Sequence, residues 1–322
     1  MERTAAAQVD GVATQVDVVD SHMETVDSVP IDAEVAPSAA GCGDAADAGM
    51  FGFGRSQPIA VARAPTSKDS FLYNMEHVRR GRAVIFNHRD FHPEQQMKMR
   101  NGTDVDRDAL AGVLRDLDFE VTVYNDLRKS ELFAVLDKLS TEDHNDADCI
   151  VVCFLSHGDS GVLYTYDEIL KSDQLWARFT ADRCPSLAGK PKIFFVQACQ
   201  GDQLDGGTTL VPRRTATDGD VVSYKIPTHA DFLLCFSTVP GYYSWRNTTN
   251  GSWFVQALAA CLRQYGRTTD LLTVMTRVNR MVATDFQSNC PGDPGMHQRK
   301  QIPCISSMLT RDVIFSAKTG RR

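Results

Sequence analysis

Four short runs are apolar at nearly every position: Ala83-Val84-Ile85-Phe86 inside Arg82–Asn87, then Cys149–Leu155, Lys192–Val196 and Asp231–Phe236. A strand that is apolar on both faces must be covered on both faces, as in a parallel sheet packed between helices. The sequence between the runs supplies the helices. Leu110, Val113, Leu114 and Leu117 keep the i, i+3, i+4, i+7 spacing of one helical face within Arg107–Leu117. Leu132, Val135, Leu136 and Leu139 form a second such face, with Ser130 as its expected N-cap. Ser252–Tyr265, stopped by Gly266, and Asp270–Phe286 read as two further helices. Phe119–Tyr124 alternates as a strand, and Ile302–Leu309 reads as the last one. The expected fold is α/β: a mostly parallel, roughly six-stranded sheet with helices on both faces.

Charge divides the chain differently. The net charge is −7 over 322 residues, and residues 1–67 hold ten acids against three bases, so they carry the whole excess. With Phe51 and Phe53 as their only aromatics and no lasting apolar stripe, they read as a disordered acidic leader. The remainder is neutral and offers no broad basic face, which argues against nucleic-acid binding. No apolar run approaches the roughly 18 residues of a membrane span, and no secretory signal is evident, so no membrane role is expected. Nine cysteines without an export signal point to free thiols in a reducing, cytoplasmic setting.

Two of the apolar runs lead straight into reactive residues. Cys149–Leu155 continues as Ser156-His157-Gly158, and Lys192–Val196 continues as Gln197-Ala198-Cys199-Gln200-Gly201. Sites in open α/β sheets form beyond the carboxyl ends of strands, so parallel neighbours would bring His157 and Cys199 to one edge. A thiol beside an imidazole is the minimum for nucleophilic acyl transfer, with histidine lowering the thiol pKa and later protonating the leaving group. Gly158 and Gly201 allow close backbone approach, and N–H groups there suit an oxyanion. No cofactor or metal enters this chemistry.

The stretch 197–201, with a histidine 42 residues upstream, matches the caspase signature. The resemblance extends from about Phe71 to Phe315 and is closest to insect effector caspases. It rests also on Arg100-Asn101-Gly102-Thr103-Asp104-Val105-Asp106, on Tyr242 to Asn247 followed by Gly251-Ser252-Trp253-Phe254, and on Gln301-Ile302-Pro303-Cys304.

The resemblance implies a cysteine endopeptidase that cleaves after aspartate, is made as a zymogen and executes apoptosis. It implies Cys199 as nucleophile, His157 as acid–base partner, and the N–H groups of Gly158 and Cys199 as oxyanion hole. Arg100, Gln197 and Arg246 would line an aspartate pocket, and Tyr243, Trp245 and Trp253 the neighbouring subsites. Two guanidiniums suit a carboxylate and repel a basic side chain. The alternative, a catalytically inactive homologue acting as a binding regulator, is disfavoured by the intact set. One departure is the aromatic-free loop 287–296, where many effector caspases carry phenylalanines, so preference at remote subsites is expected to differ.

The long stretch Asp202–Tyr224 has no hydrophobic periodicity and holds Thr215-Ala216-Thr217-Asp218-Gly219, an expected activation cut after Asp218. Asp205, before Gly206-Gly207, is a weaker site. The cut at Asp218 would leave a large catalytic subunit, 68–218, and a small one, 219–322. In the leader, Asp27 is the expected cut and Asp20 a second. Cutting after Asp27 exposes Ser28-Val29-Pro30-Ile31, which is similar to the tetrapeptides that inhibitor-of-apoptosis proteins bind. Further implied partners are protein substrates with exposed aspartates, an upstream initiator caspase, and a second cleaved chain in a homodimer (heterotetramer) joined through Ile302–Leu309.

Overall fold

A computed structural model describes residues 64–207 and 227–318. The leader with Asp20, Asp27 and Ser28–Ile31 lies outside these residues, as does Asp218.

Eleven strands and four α-helices are described. The strands are β1 (Arg82–Asn87), β2 (Glu120–Asn125), β3 (Ile150–Leu155), β4 (Gly158–Asp159), β5 (Val162–Tyr164), β6 (Ile169–Lys171), β7 (Lys192–Gln197), β8 (Phe232–Phe236), β9 (Arg246–Asn247), β10 (Gly251–Ser252) and β11 (Cys304–Ser307). The helices are α1 (Thr103–Asp116), α2 (Lys129–Thr141), α3 (Trp253–Tyr265) and α4 (Leu271–Asp285).

The main sheet has six strands in the order β11-β8-β7-β3-β1-β2, all parallel except β11, which runs antiparallel to β8. Every residue of β3 and β7 is buried, as their composition required. Alternate residues serve opposite faces. Ile85, Val151, Cys153, Ile193 and Phe195 pack with α1, α3 and α4, whereas Phe86, Val152, Phe154, Phe194 and Val196 pack with α2. The chain leaves β1 for β2 and then returns to β3 on the other side of β1. That reversal is the switch point at which such sheets bind ligands.

Helix ends differ in detail from the sequence reading. Helix α1 begins at Thr103, a turn before its apolar stripe, because Asp104 and Asp106 sit where the positive end of the helix dipole favours acids. The N-cap of α2 is Arg128, whose N–H donates to Glu131 Oε2 at 2.8 Å; Ser130 is inside the first turn. Gly266 follows α3 as expected but in the right-handed region. A Cβ there would press on the Leu262 carbonyl at 2.6 Å and on Leu117, so the glycine answers packing rather than backbone torsion. Asp270 caps α4 by accepting from Thr273 N–H at 3.1 Å.

Candidate active site

Residues 156–158 leave β3 and residues 198–201 leave β7, and the two strands pair in register from Ile150↔Lys192 to Leu155↔Gln197. His157 and Cys199 therefore arrive at one sheet edge and line one cavity of about 570 Å³, together with Gln197, Tyr243, Trp245 and Arg246. Gly158 also lines it. A Cβ there would stand 2.6 Å from the Cys199 carbonyl oxygen and 2.9 Å from Ala198 Cβ, so only glycine fits between the two strand exits.

The histidine is oriented by a group no side-chain reading could name. His157 Nε2 lies 2.8 Å from the carbonyl oxygen of Lys98. A carbonyl only accepts, so Nε2 carries the proton and Nδ1 is the nitrogen left for the thiol. The ring also packs against Phe91, with centroids 5.0 Å apart. Cys199 Sγ faces Ser244, accepting from its N–H at 3.4 Å and donating to its carbonyl at 3.8 Å. Among the described residues no hydrogen bond joins the thiol to the imidazole.

Burial depresses His157 to about 4, and the charges of Arg100 and Arg246 add to this against the Lys98 hydrogen bond. Burial pushes the Cys199 thiol up despite the Ser244 contact and the two arginines. Both shifts favour the thiol and the neutral imidazole over an ion pair. Here histidine can act as a base that removes the thiol proton as attack begins.

Arg100 is 1% exposed. Its Nη1 donates to His88 O at 2.8 Å and to Thr103 Oγ1 at 2.7 Å, while Nε and Nη2 have no partner among the described residues. It is not among the residues lining the cavity, and burial first, then Arg246, lowers it to about 9. Arg246 does line the cavity, with Nε donating to Asn101 O at 2.9 Å. Gln197 donates to Ser244 Oγ at 2.7 Å and keeps a buried Oε1 with no partner among the described residues. Buried donors without partners are costly unless a ligand completes them, and an anionic side chain is what two guanidiniums complete best.

The aromatics form a ladder. Tyr243 meets Trp245 at 6.3 Å, Trp245 stacks on Trp253 at 5.6 Å, and Trp253 stacks on Phe286 at 5.6 Å. Tyr243 and Trp245 face the cavity; Trp253 is buried beneath Trp245. Phe286, at the edge of the aromatic-free loop, extends the ladder toward it. Asp205 is tied down: its carbonyl accepts from Lys300 N–H at 3.0 Å and its Oδ1 from Gly207 N–H at 2.8 Å.

A thiol, an oriented imidazole and a cationic recess at the carboxyl edge of a parallel sheet can together perform acyl transfer on a chain that carries an acidic side chain. Comparison with known proteins identifies the class. The caspase-domain family matches residues 80–314. Caspase-1 of Spodoptera frugiperda is 53% identical over 279 residues, covering 86% of this chain and 92% of its own. Caspase drICE of Drosophila melanogaster is 52% identical over 276 residues, covering 84% and 81%. Caspase-3 of Felis catus is 42% identical over 243 residues, covering 76% and 86%. The crystal structure of the Spodoptera Caspase-1 superposes with a TM-score of 0.77 at 52% identity, covering 82% of this chain and all of that one. The chain belongs to the caspase family. It is a cysteine-type endopeptidase of aspartate specificity that acts in apoptosis, and the family brings protein substrates and a dimeric assembly.

Proposed function

We propose that Cys199 attacks the carbonyl carbon of a substrate aspartate, while His157 Nδ1 takes the thiol proton and later delivers it to the amine of the following residue as that amine leaves. The N–H groups of Gly158 and Cys199 hold the oxyanion of the tetrahedral intermediate. Water then hydrolyses the thioester. Arg100, Gln197 and Arg246 receive the aspartate carboxylate, and Tyr243 and Trp245 contact the preceding residues with Trp253 backing them. The observation that carries this reading is the buried Arg100 guanidinium, which has Nε and Nη2 unpartnered among the described residues and acts on Arg246 and Cys199.

The same reading makes the chain a cytoplasmic zymogen that an upstream initiator caspase cuts after Asp218, giving subunits 68–218 and 219–322. Leader removal follows Asp27, or Asp20, and the new Ser28–Ile31 end is a handle for inhibitor-of-apoptosis proteins. Two cleaved chains join through β11, the edge strand of the main sheet. The test is turnover by the recombinant matured protein. Asp-Glu-Val-Asp reporter peptide should be cleaved, the Asn-ending and Arg-ending versions should not, and Cys199→Ala should abolish cleavage. Equal turnover of the Asp-ending and Asn-ending peptides would refute the pocket.

A further inference from the structure

We propose that Asp106 is a positioning residue of the aspartate pocket: a buried carboxylate, tied down by Ser252, that locks the Arg100 segment and the Arg246 hairpin into one alignment. This rests on the aspartate-pocket reading above and extends it to a residue outside the cavity.

Asp106 is 1% exposed, in the first turn of α1. Ser252 donates to it twice, from its N–H to Oδ1 at 2.7 Å and from its hydroxyl to Oδ2 at 2.6 Å. Serine is a preferred N-cap, and Ser252 occupies the N-cap position of α3, yet its hydroxyl makes no cap bond there. The capping group has been diverted to the carboxylate.

The position of Ser252 gives that diversion a purpose. Ser252 stands directly opposite Arg246 in the β9–β10 ladder. Asp106 shares its helical turn with Thr103, whose hydroxyl receives Arg100 Nη1 at 2.7 Å and donates to Asn87 at 2.8 Å. One carboxylate therefore bridges the elements that carry the two arginines. Gly251, at φ +91°, permits the approach, since a Cβ on it would collide with Asp106 Oδ1.

Arg100 and Arg246 repel one another, and Asp106 is the strongest opposing charge on each; burial works against that charge, and the Ser252 bonds and the two arginines hold it. Among the described residues Asp106 bonds to neither guanidinium, and its bonds run to Ser252 instead. It offsets their repulsion through space without filling the donors that a substrate would take. Removing the charge raises the local positive potential, which by itself favours a substrate carboxylate. That gain is diffuse, whereas a guanidinium fork delivers its strength only at hydrogen-bond distance. Loss of alignment is therefore the larger effect.

The experiment compares Asp106→Asn, Ser252→Ala and wild type in the matured enzyme. It measures kcat and KM on the Asp-ending reporter, and alkylation of Cys199 by iodoacetamide, a neutral probe that needs no pocket. Asp106→Asn should raise KM about tenfold or more, the scale of one lost hydrogen bond to a charged group. Its kcat should stay within about threefold and its alkylation rate should be unchanged. Ser252→Ala keeps the charge and drops one tie, so KM should rise a few-fold, on the order of one neutral hydrogen bond. An unchanged KM in folded Asp106→Asn overturns the proposal, as does parallel loss of kcat, KM and alkylation in both variants. If Asp106→Asn does not fold, an unchanged KM in Ser252→Ala overturns it. Failure of the pocket reading is distinct: it appears in wild type, as equal use of Asp-ending and Asn-ending reporters.

Discussion

Replacing Arg246 by lysine keeps a positive charge and removes the planar fork. Arg246 Nε is already committed to Asn101 O at 2.9 Å, which leaves the two Nη groups for a substrate carboxylate. Lysine has a single ammonium and cannot reach Asn101 O and the substrate together. Each hydrogen bond to a charged group contributes about 1.5–3 kcal/mol, so losing one and straining the other costs about 2–4 kcal/mol. That is roughly 30- to 1000-fold in kcat/KM, and the retained charge favours the lower part of the range. The assay is steady-state kcat/KM on Asp-Glu-Val-Asp and Asp-Glu-Val-Asn reporters, with a thermal melt of each protein. Arg246→Lys should lose about 30-fold or more on the Asp reporter. It should leave the Asn reporter uncleaved, as in wild type, and its melting temperature should stay near that of wild type. A folded lysine variant with near-normal kcat/KM on the Asp peptide would show that the guanidinium geometry is not what is read.

Asp218→Ala should prevent separation of the 68–218 and 219–322 fragments on a denaturing gel and hold activity at the zymogen level; normal maturation would place the cut elsewhere. N-terminal sequencing of the mature large subunit should begin at Ser28. A Ser-Val-Pro-Ile peptide should then bind an inhibitor repeat domain, and its N-acetylated form should not, since such sites capture a free amine. His88 is 0% exposed with both ring nitrogens unpartnered among the described residues, and burial, then Arg100, against an opposing pull from Asp167, lowers it to about 3. The unfolded chain takes up that proton near pH 6.5 and the folded one does not, so the neutral site costs no stability above pH 6.5 and destabilises increasingly as pH falls toward 3. Replacing His88 by leucine should flatten the fall in melting temperature between pH 6.5 and 5, above the carboxylate range; an unaltered slope would assign the fall to other groups.

Runs that are apolar on both faces were legible because burial leaves such strands no polar residue to disguise them; β1, β3, β7 and β8 lie within a residue of their sequence limits. The small sheet of β4, β5 and β6 was not, since strands of two or three mixed residues carry no periodicity. The first turn of α1 is polar and invisible to an apolar stripe. In the site, Cys199, His157 and the arginines could be named from motifs, but Lys98 acts through its carbonyl, which every residue possesses. Spacing likewise brings Cys199 and His157 together without revealing how far both are desolvated or that two guanidiniums stand nearby. Ser252 had left a trace, a preferred capping residue before α3, but which partner takes its hydroxyl is decided only by folding.

The pairing of β7 with β8 bears on what a cut between them accomplishes. Five residue pairs, from Lys192↔Phe232 to Val196↔Phe236, join the strands on either side of the linker, and Leu233, Phe254 and Val278 share one core with Ile85 and Leu110. The two pieces made by a cut are not separate bodies held by a tether. Each lacks part of the interior that the other supplies, so neither can leave without exposing a sheet edge and a helix-covered face to water. A cut made there as proposed would therefore break one peptide bond while the two pieces stay joined through the shared sheet and core.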